Sequence, residues 1–287
     1  MGGIFRTFGN TWNITKTSMS VLRQDKELLV FPVLAGVFVL IIAGITAGIF
    51  ASIGTFDRLD TAGEGSQLKA GDIVVAVLAL VAVMFVVNYF NAALMGAARV
   101  RLRGGDPSVG TGFAAVNKHL VAVFGWSVIS AIIFIILTYL RGKTDSFIGR
   151  IMIDIVGAVW AYMTFFVVPI LIVEGVGPIE AIKRSKSYFS RTWGEQLVSG
   201  FGFGIIRIVA LLPAIIAAAV LAPISPVAAM IVVVPLAGIA LAVVNALEGI
   251  FKMALYEHVA EPQLESTFFE PQILSGAYSG GSTQAFR

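Results

Sequence analysis

Six apolar runs, each long enough to cross a bilayer, are separated by short polar stretches at residues 28–53, 73–95, 121–140, 151–173, 197–221 and 227–249. A helix needs about 20 apolar residues to span the hydrocarbon layer. The runs lack the alternation of a half-buried strand, so they predict helices. Their ends carry ordinary helix signals. Pro32 falls in a first turn, where a missing N–H costs little. Asp72 is a plausible N-cap. Gly104-Gly105-Asp106-Pro107 and Pro223-Ile224-Ser225-Pro226 read as turns. Gly44-xxx-Gly48 marks a face of the first span that would admit a close neighbour.

Three less apolar segments precede successive pairs of spans: 4–24, 108–123 and 179–192. In the first, Phe5, Phe8, Trp12, Met19 and Leu22 recur at helical spacing, with Arg6, Asn10, Asn13, Lys16, Thr17 and Ser20 elsewhere. Such a helix lies in the headgroup layer or packs on the protein's own cytoplasmic surface. In the third, Pro178 suits the first turn of a polar helix. Val87-Asn88-xx-Asn91 aligns with Val244-Asn245-xx-Glu248, and Trp126 with Trp193. Together these suggest three copies of a surface helix followed by a helical hairpin.

Composition narrows the class. Of 287 residues, 57% are hydrophobic and 13% charged, against about 25% charged in soluble domains. With no cysteine and only His119 and His258, disulfides and thiolate sites are excluded, and zinc or haem ligation is not expected. Six charged residues precede the first apolar run, unlike a cleavable leader. Arg6 stands where a myristoylation site needs Ser or Thr.

Charge sets the expected orientation. With both termini inside, cytoplasmic segments hold fourteen Lys and Arg and outer loops five, leaving out Arg207. The positive-inside rule then favours cytoplasmic N- and C-termini. The expected fold is all-α: a polytopic bundle of six transmembrane helices with cytoplasmic interfacial amphipathic helices. Residues 1–260 would form one membrane domain and 261–287 a cytoplasmic tail.

Arg207 is the sharpest candidate, set within the run 197–221, because a charge in hydrocarbon costs roughly 2.5–3.5 kcal/mol even on lenient scales. It either binds an anionic substrate or lipid headgroup, or lines an ion path, or pairs with Asp154, Glu248 or a backbone carbonyl; neither carboxylate is obviously level with it. Asn88, Asn91, Asn245 and Glu248 form a second polar group, each pair spaced i,i+3 on one helix face. They make either a vestibule with Lys252 or ordinary interhelical hydrogen bonds. Gly200, Gly202 and Gly204, with Pro213, permit a hinge or a close helix approach. Arg99, Arg101, Arg103, Lys183, Arg184 and Lys186 form a basic belt suited to anionic lipid. No G-x-S-x-G elbow, phosphate loop or acid–base constellation occurs, so no catalysis, cofactor or metal is expected. No nucleic-acid module is present either.

Asp25-Lys26-Glu27-Leu28-Leu29-Val30-Phe31-Pro32 and the pattern Pro169-x4-Glu174-x6-Ala181-x3-Ser185 resemble a group of uncharacterised bacterial and archaeal six-span membrane proteins, a domain of unknown function. More distantly they resemble the membrane domain attached to some glycerophosphodiester phosphodiesterases. The closer resemblance covers nearly the whole chain, including the tail from Ala277 to Phe286. It implies six helices and a cytoplasmic N-terminus, and brings no activity or site residues. The expected function is a non-enzymatic membrane scaffold or accessory subunit, self-associating or bound to another membrane protein among membrane lipids. The alternative is a transporter or channel for a small anionic solute or lipid, using Arg207.

Overall fold

The computed structural model describes residues 15–61, 68–192 and 202–261, which are mostly helix and contain no strand. Expectations placed on residues 4–14, Glu64, Trp193, Gly200 and the tail from 262 onward lie outside these residues. In chain order, α1 covers 15–24, and a 3-10 turn at Lys26–Leu29 leads into α2 (Val30–Ser52). A short α3 (Thr55–Thr61) precedes α4 (Ala70–Leu102), α5 (Val109–Asn117), α6 (Leu120–Gly142) and α7 (Phe147–Met163). The chain ends with α8 (Val167–Glu174), α9 (Pro178–Thr192), α10 (Gly202–Leu221) and α11 (Pro226–Ala260). Leaving aside the short α3 and the split of the fourth span into α7 and α8, a short helix precedes each of three pairs of apolar spans.

The protein is an all-α polytopic membrane bundle. Among the described residues five runs, Lys26–Ser52, Ala70–Leu102, Leu120–Gly142, Phe147–Glu174 and Pro226–Ala260, are long and apolar enough to cross a bilayer, with a shorter apolar helix at Ile206–Leu221. Local chemistry sets the ends. The Ser108 hydroxyl accepts the Thr111 N–H to start α5. Gly104 stops α4 at φ +79°, its own N–H and that of Gly105 donating back to Arg101 and Val100. That is a Schellman stop, which needs a residue without Cβ.

The fourth span departs from expectation. A continuous helix over 151–173 is the simplest prediction, whereas the chain breaks at Thr164–Phe166 between α7 and α8. Pro169 explains the break: it has no N–H for the Phe165 carbonyl, and its ring displaces that carbonyl. The freed N–H of Phe166 donates instead to the buried Ser185 hydroxyl of α9 at 3.1 Å. Pro213 and Pro235, by contrast, lie inside unbroken α10 and α11.

The close-packed core sits at one end of the bundle. The largest fully buried side chains are Phe31, Leu94, Met95, Leu102, Phe166, Ile170, Leu171, Ile250, Met253 and Tyr256, with Leu28. They belong to the start of α2, the last turns of α4 and α11, and α8 with the turn before it. Here α5 lies across α4 so closely that a Cβ on Gly112 would come 2.6 Å from the Ala93 carbonyl, and one on Gly96 2.5 Å from the Ala115 methyl. Toward the other end the helices carry exposed Leu40, Ile45, Leu78, Ile231 and Ile239. Gly44 and Gly48, the pair expected to receive a neighbour, have nothing within 4 Å of where a Cβ would stand. The close glycines are on α4, α5 and α11 instead.

Candidate functional site

Helix lengths show how much of each helix a bilayer can cover. At 1.5 Å per residue, α4 with 33 residues and α11 with 35 are each about 50 Å long, well beyond a hydrocarbon layer of about 30 Å. At the far end Asp72 is anchored by the Thr55 hydroxyl at 2.6 Å and by Arg58 at 2.8 Å. About 20 residues on, the layer ends near Ala92. Counted from Pro226 at the start of α11, it ends near Ala246. Asn91 and Leu94 lie against Gly249, so the two helices leave the layer within a turn of each other. Trp126 and Trp160 stack near this boundary, ring centroids 6.2 Å apart, as aromatic residues favour the interface.

Beyond the boundary, helical spacing divides three arginines between two partners. Arg99 and Arg103 are four residues apart and share a face. Arg99 donates to Glu257 at 3.2 Å and to Glu261 at 3.0 Å, and Arg103 to Glu257 at 2.7 Å and also to Glu261. Glu257 and Glu261 are themselves four apart at the end of α11. Arg101 projects to the other side and binds Asp25, and Asp106 at 2.8 Å. The three arginines expected to meet lipid are thus engaged by carboxylates of their own chain.

A second cluster uses the residues of the Pro169–Ser185 pattern. Glu174 ends α8 and accepts hydrogen bonds from the Tyr256 hydroxyl at 2.9 Å and the Tyr188 hydroxyl at 3.1 Å. Arg184 pairs with its other oxygen and with Glu180 at 3.0 Å. Donating to Glu174, and then to Glu180, holds the Arg184 guanidinium above its ordinary pKa. Ala181 and Ser185 are both fully buried on α9. Lys183 and Lys186 are exposed on the opposite side of that helix.

The third cluster contains Arg207. Its Nη2 donates to Glu248 at 3.0 Å and Asn245 at 3.3 Å. Lys252 binds the other Glu248 oxygen at 2.8 Å and stands 5.0 Å from the centre of the Phe165 ring, at the break in the fourth span. Arg207 is therefore level with Glu248, contrary to the expectation from span positions. Asp154 is elsewhere, 3.0 Å from Arg141 on an exposed surface. Asn88 donates to the Ser127 hydroxyl of α6 at 3.2 Å, so it does not join Asn245 and Glu248 in one vestibule.

Tyr188, Tyr256, Glu257 and Glu261 were not singled out by the sequence, and Asp25 and Glu174 stood out only as parts of the two motifs. The i,i+4 match of Arg99/Arg103 to Glu257/Glu261 was the available signal. Residues 70–265, α4 to the end of α11, match the model of a family of unknown function (DUF6159). No curated protein and no solved structure matches the chain. The chain belongs to that family of unknown function.

Proposed function

We propose that this family member is a non-enzymatic scaffold or accessory subunit of the cell membrane, self-associating or bound to another membrane protein. In this proposal the charged end is cytoplasmic with both termini, as the distribution of Lys and Arg favours. Segments α1, α5 and α9 then lie in the cytoplasmic headgroup layer. The distant resemblance to the membrane domain of some glycerophosphodiester phosphodiesterases belongs to the same proposal and brings a helical framework without catalytic groups.

One observation carries it: the charges at the boundary are engaged with one another. Arg207, the strongest candidate for an ion path, is held by Glu248 and Asn245. A guanidinium fixed on a carboxylate supports helix–helix attachment more than passage of an anion. The second proposal, transport of a small anion, draws its support from the 46% side-chain exposure of Arg207.

Two measurements on reconstituted protein separate them. Single-molecule photobleaching in dilute liposomes counts copies per particle, and halide or phosphate flux is followed in the same vesicles. The scaffold proposal expects dimers or larger assemblies, or co-purification of a stable membrane partner, and no flux above empty vesicles. Flux that Arg207→Met abolishes while the fold stays intact would replace it with transport.

A further inference from the structure

The ion-pair clusters differ in their charge balance. Arg99 and Arg103 face two carboxylates, Arg101 faces Asp25 and Asp106, and Arg184 faces Glu174 and Glu180. Arg58 with Asp72 and Arg141 with Asp154 are one-to-one. Only in the remaining one of these clusters do two cations, Arg207 and Lys252, share a single carboxylate, Glu248. Among the described residues that cluster holds one more cation than carboxylate.

Its placement gives the extra cation a use. Glu248 lies where α11 leaves the hydrocarbon layer, the depth of phospholipid phosphates. Arg207 is 46% exposed and Lys252 22%. The Arg207 fork has five N–H donors, and its bonds to Glu248 and Asn245 both use Nη2. The ammonium of Lys252 makes one ion pair and rests on the Phe165 ring, which leaves further N–H donors. Next to Arg207 on α10, Ile208, Leu212 and Ile215 are exposed, and they continue toward the middle of the layer.

We propose that Arg207 and Lys252 form a site for the phosphate of an anionic phospholipid in the leaflet at the charged end. Glu248 holds the two cations beside each other, and an acyl chain lies along Ile208, Leu212 and Ile215. A headgroup of net charge −1 matches the one extra cation. A zwitterionic headgroup adds a third cation beside Arg207 and Lys252 and is disfavoured. The site depends on the depth of the cluster and not on whether the protein is a scaffold.

The test is native mass spectrometry of the full chain in detergent, titrated with phosphatidylglycerol, with phosphatidylcholine, and with inorganic phosphate as competitor. Phosphatidylglycerol adducts should dominate on the unaltered protein. Arg207→Gln and Lys252→Gln should each weaken them about fivefold, the usual effect of one basic residue near anionic lipid. The double variant Lys183→Gln with Lys186→Gln should leave them unchanged. Lys252→Gln keeps the Arg207–Glu248 pair, so it carries the test if Arg207→Gln does not fold. Equal binding of the two lipids, or unchanged adducts in Lys252→Gln, overturns the proposal. Displacement of phosphatidylglycerol by millimolar inorganic phosphate also overturns it, by assigning the site to a free anion.

Discussion

The same two helices behave differently at their two ends. Between residues 73 and 87, α4 exposes Ile73, Val74, Leu78 and Val87, yet from Ala92 to Ala98 it is wholly buried. The long α11 repeats the contrast, with Met230 and Ile231 about two-thirds exposed and Ile250, Met253 and Leu255 fully covered. Hydrocarbon is as apolar as leucine, so within the layer there is no hydrophobic reason to hide a side chain. Beyond the layer, apolar surface meets water and is driven inward, and the boundary Arg and Glu side chains find one another. The close-packed core of this protein therefore gathers at the charged end, where α4 and α11 run on past the length that a bilayer crossing needs.

The largest effect expected from that difference is at Gly112. A Cβ there would meet the Phe31 ring at 2.4 Å and the backbone carbonyl of Ala93 at 2.6 Å. A carbonyl cannot swing aside as a side-chain end can. Gly112→Leu should unseat α5 from α4 and cost more than the ~1–3 kcal/mol usual for overpacking. The checks are thermal unfolding in detergent and the yield of monodisperse protein. An unfolding midpoint equal to that of the unaltered chain would break the contrast at its strongest point.

Truncating a covered side chain comes next. Leu171, fully buried on α8, should cost about 3 kcal/mol when changed to Ala, within the 2–5 range for core leucines. Ile231, 68% exposed on α11, should lose no more than about 0.5 kcal/mol. Equal losses in parallel detergent denaturation would mean that the exposed ends are packed against something after all.

Much of this was legible in the chain, and the illegible part has one cause. The apolar runs, Pro178 at the head of α9 and the stop after Leu102 follow from composition and turn chemistry. Partner choice does not, because a membrane helix that is apolar all round shows no stripe toward its neighbour. Gly44-xxx-Gly48 looked like the close contact for this reason, while Gly96, Gly112 and Gly249 make it. Pro169 was visible only as part of a motif near the end of the fourth run, and the break depends on Ser185, sixteen residues later, to accept the freed N–H. Arg207 was visible as a costly charge. Glu248 and Asp154 were both candidate mates, and the register of the α10–α11 hairpin selects Glu248.

The electrostatic half of the comparison is sharpened by Glu257→Gln against Asp154→Asn. Glu257 is 6% exposed and holds both Arg99 and Arg103. Neutralising it leaves two partly exposed cations short of a partner. That should cost about 2 kcal/mol, below the 3–5 of a fully buried pair. Asp154 and Arg141 are each more than half exposed, and losing that pair should cost at most about 0.5 kcal/mol. Both are read as shifts in the thermal midpoint at low salt. A larger shift for Asp154→Asn would place the electrostatic weight at the wrong end.

The smallest effect belongs to the apolar end. Gly44→Ala and Gly48→Ala add a methyl where nothing lies within 4 Å, so they cause no clash inside the protomer. Alanine also holds a helix better than glycine, by up to about 1 kcal/mol per site in water. The unfolding midpoint should therefore stay level or rise slightly. Self-association responds to a different contact. If a second copy packs on this face of α2, the added methyls hold the two helices apart and the fraction of dimer by photobleaching falls while the midpoint does not. A midpoint that falls along with the dimer fraction would instead show that α2 is seated against its own chain through these glycines, and the open face would be lost from the comparison.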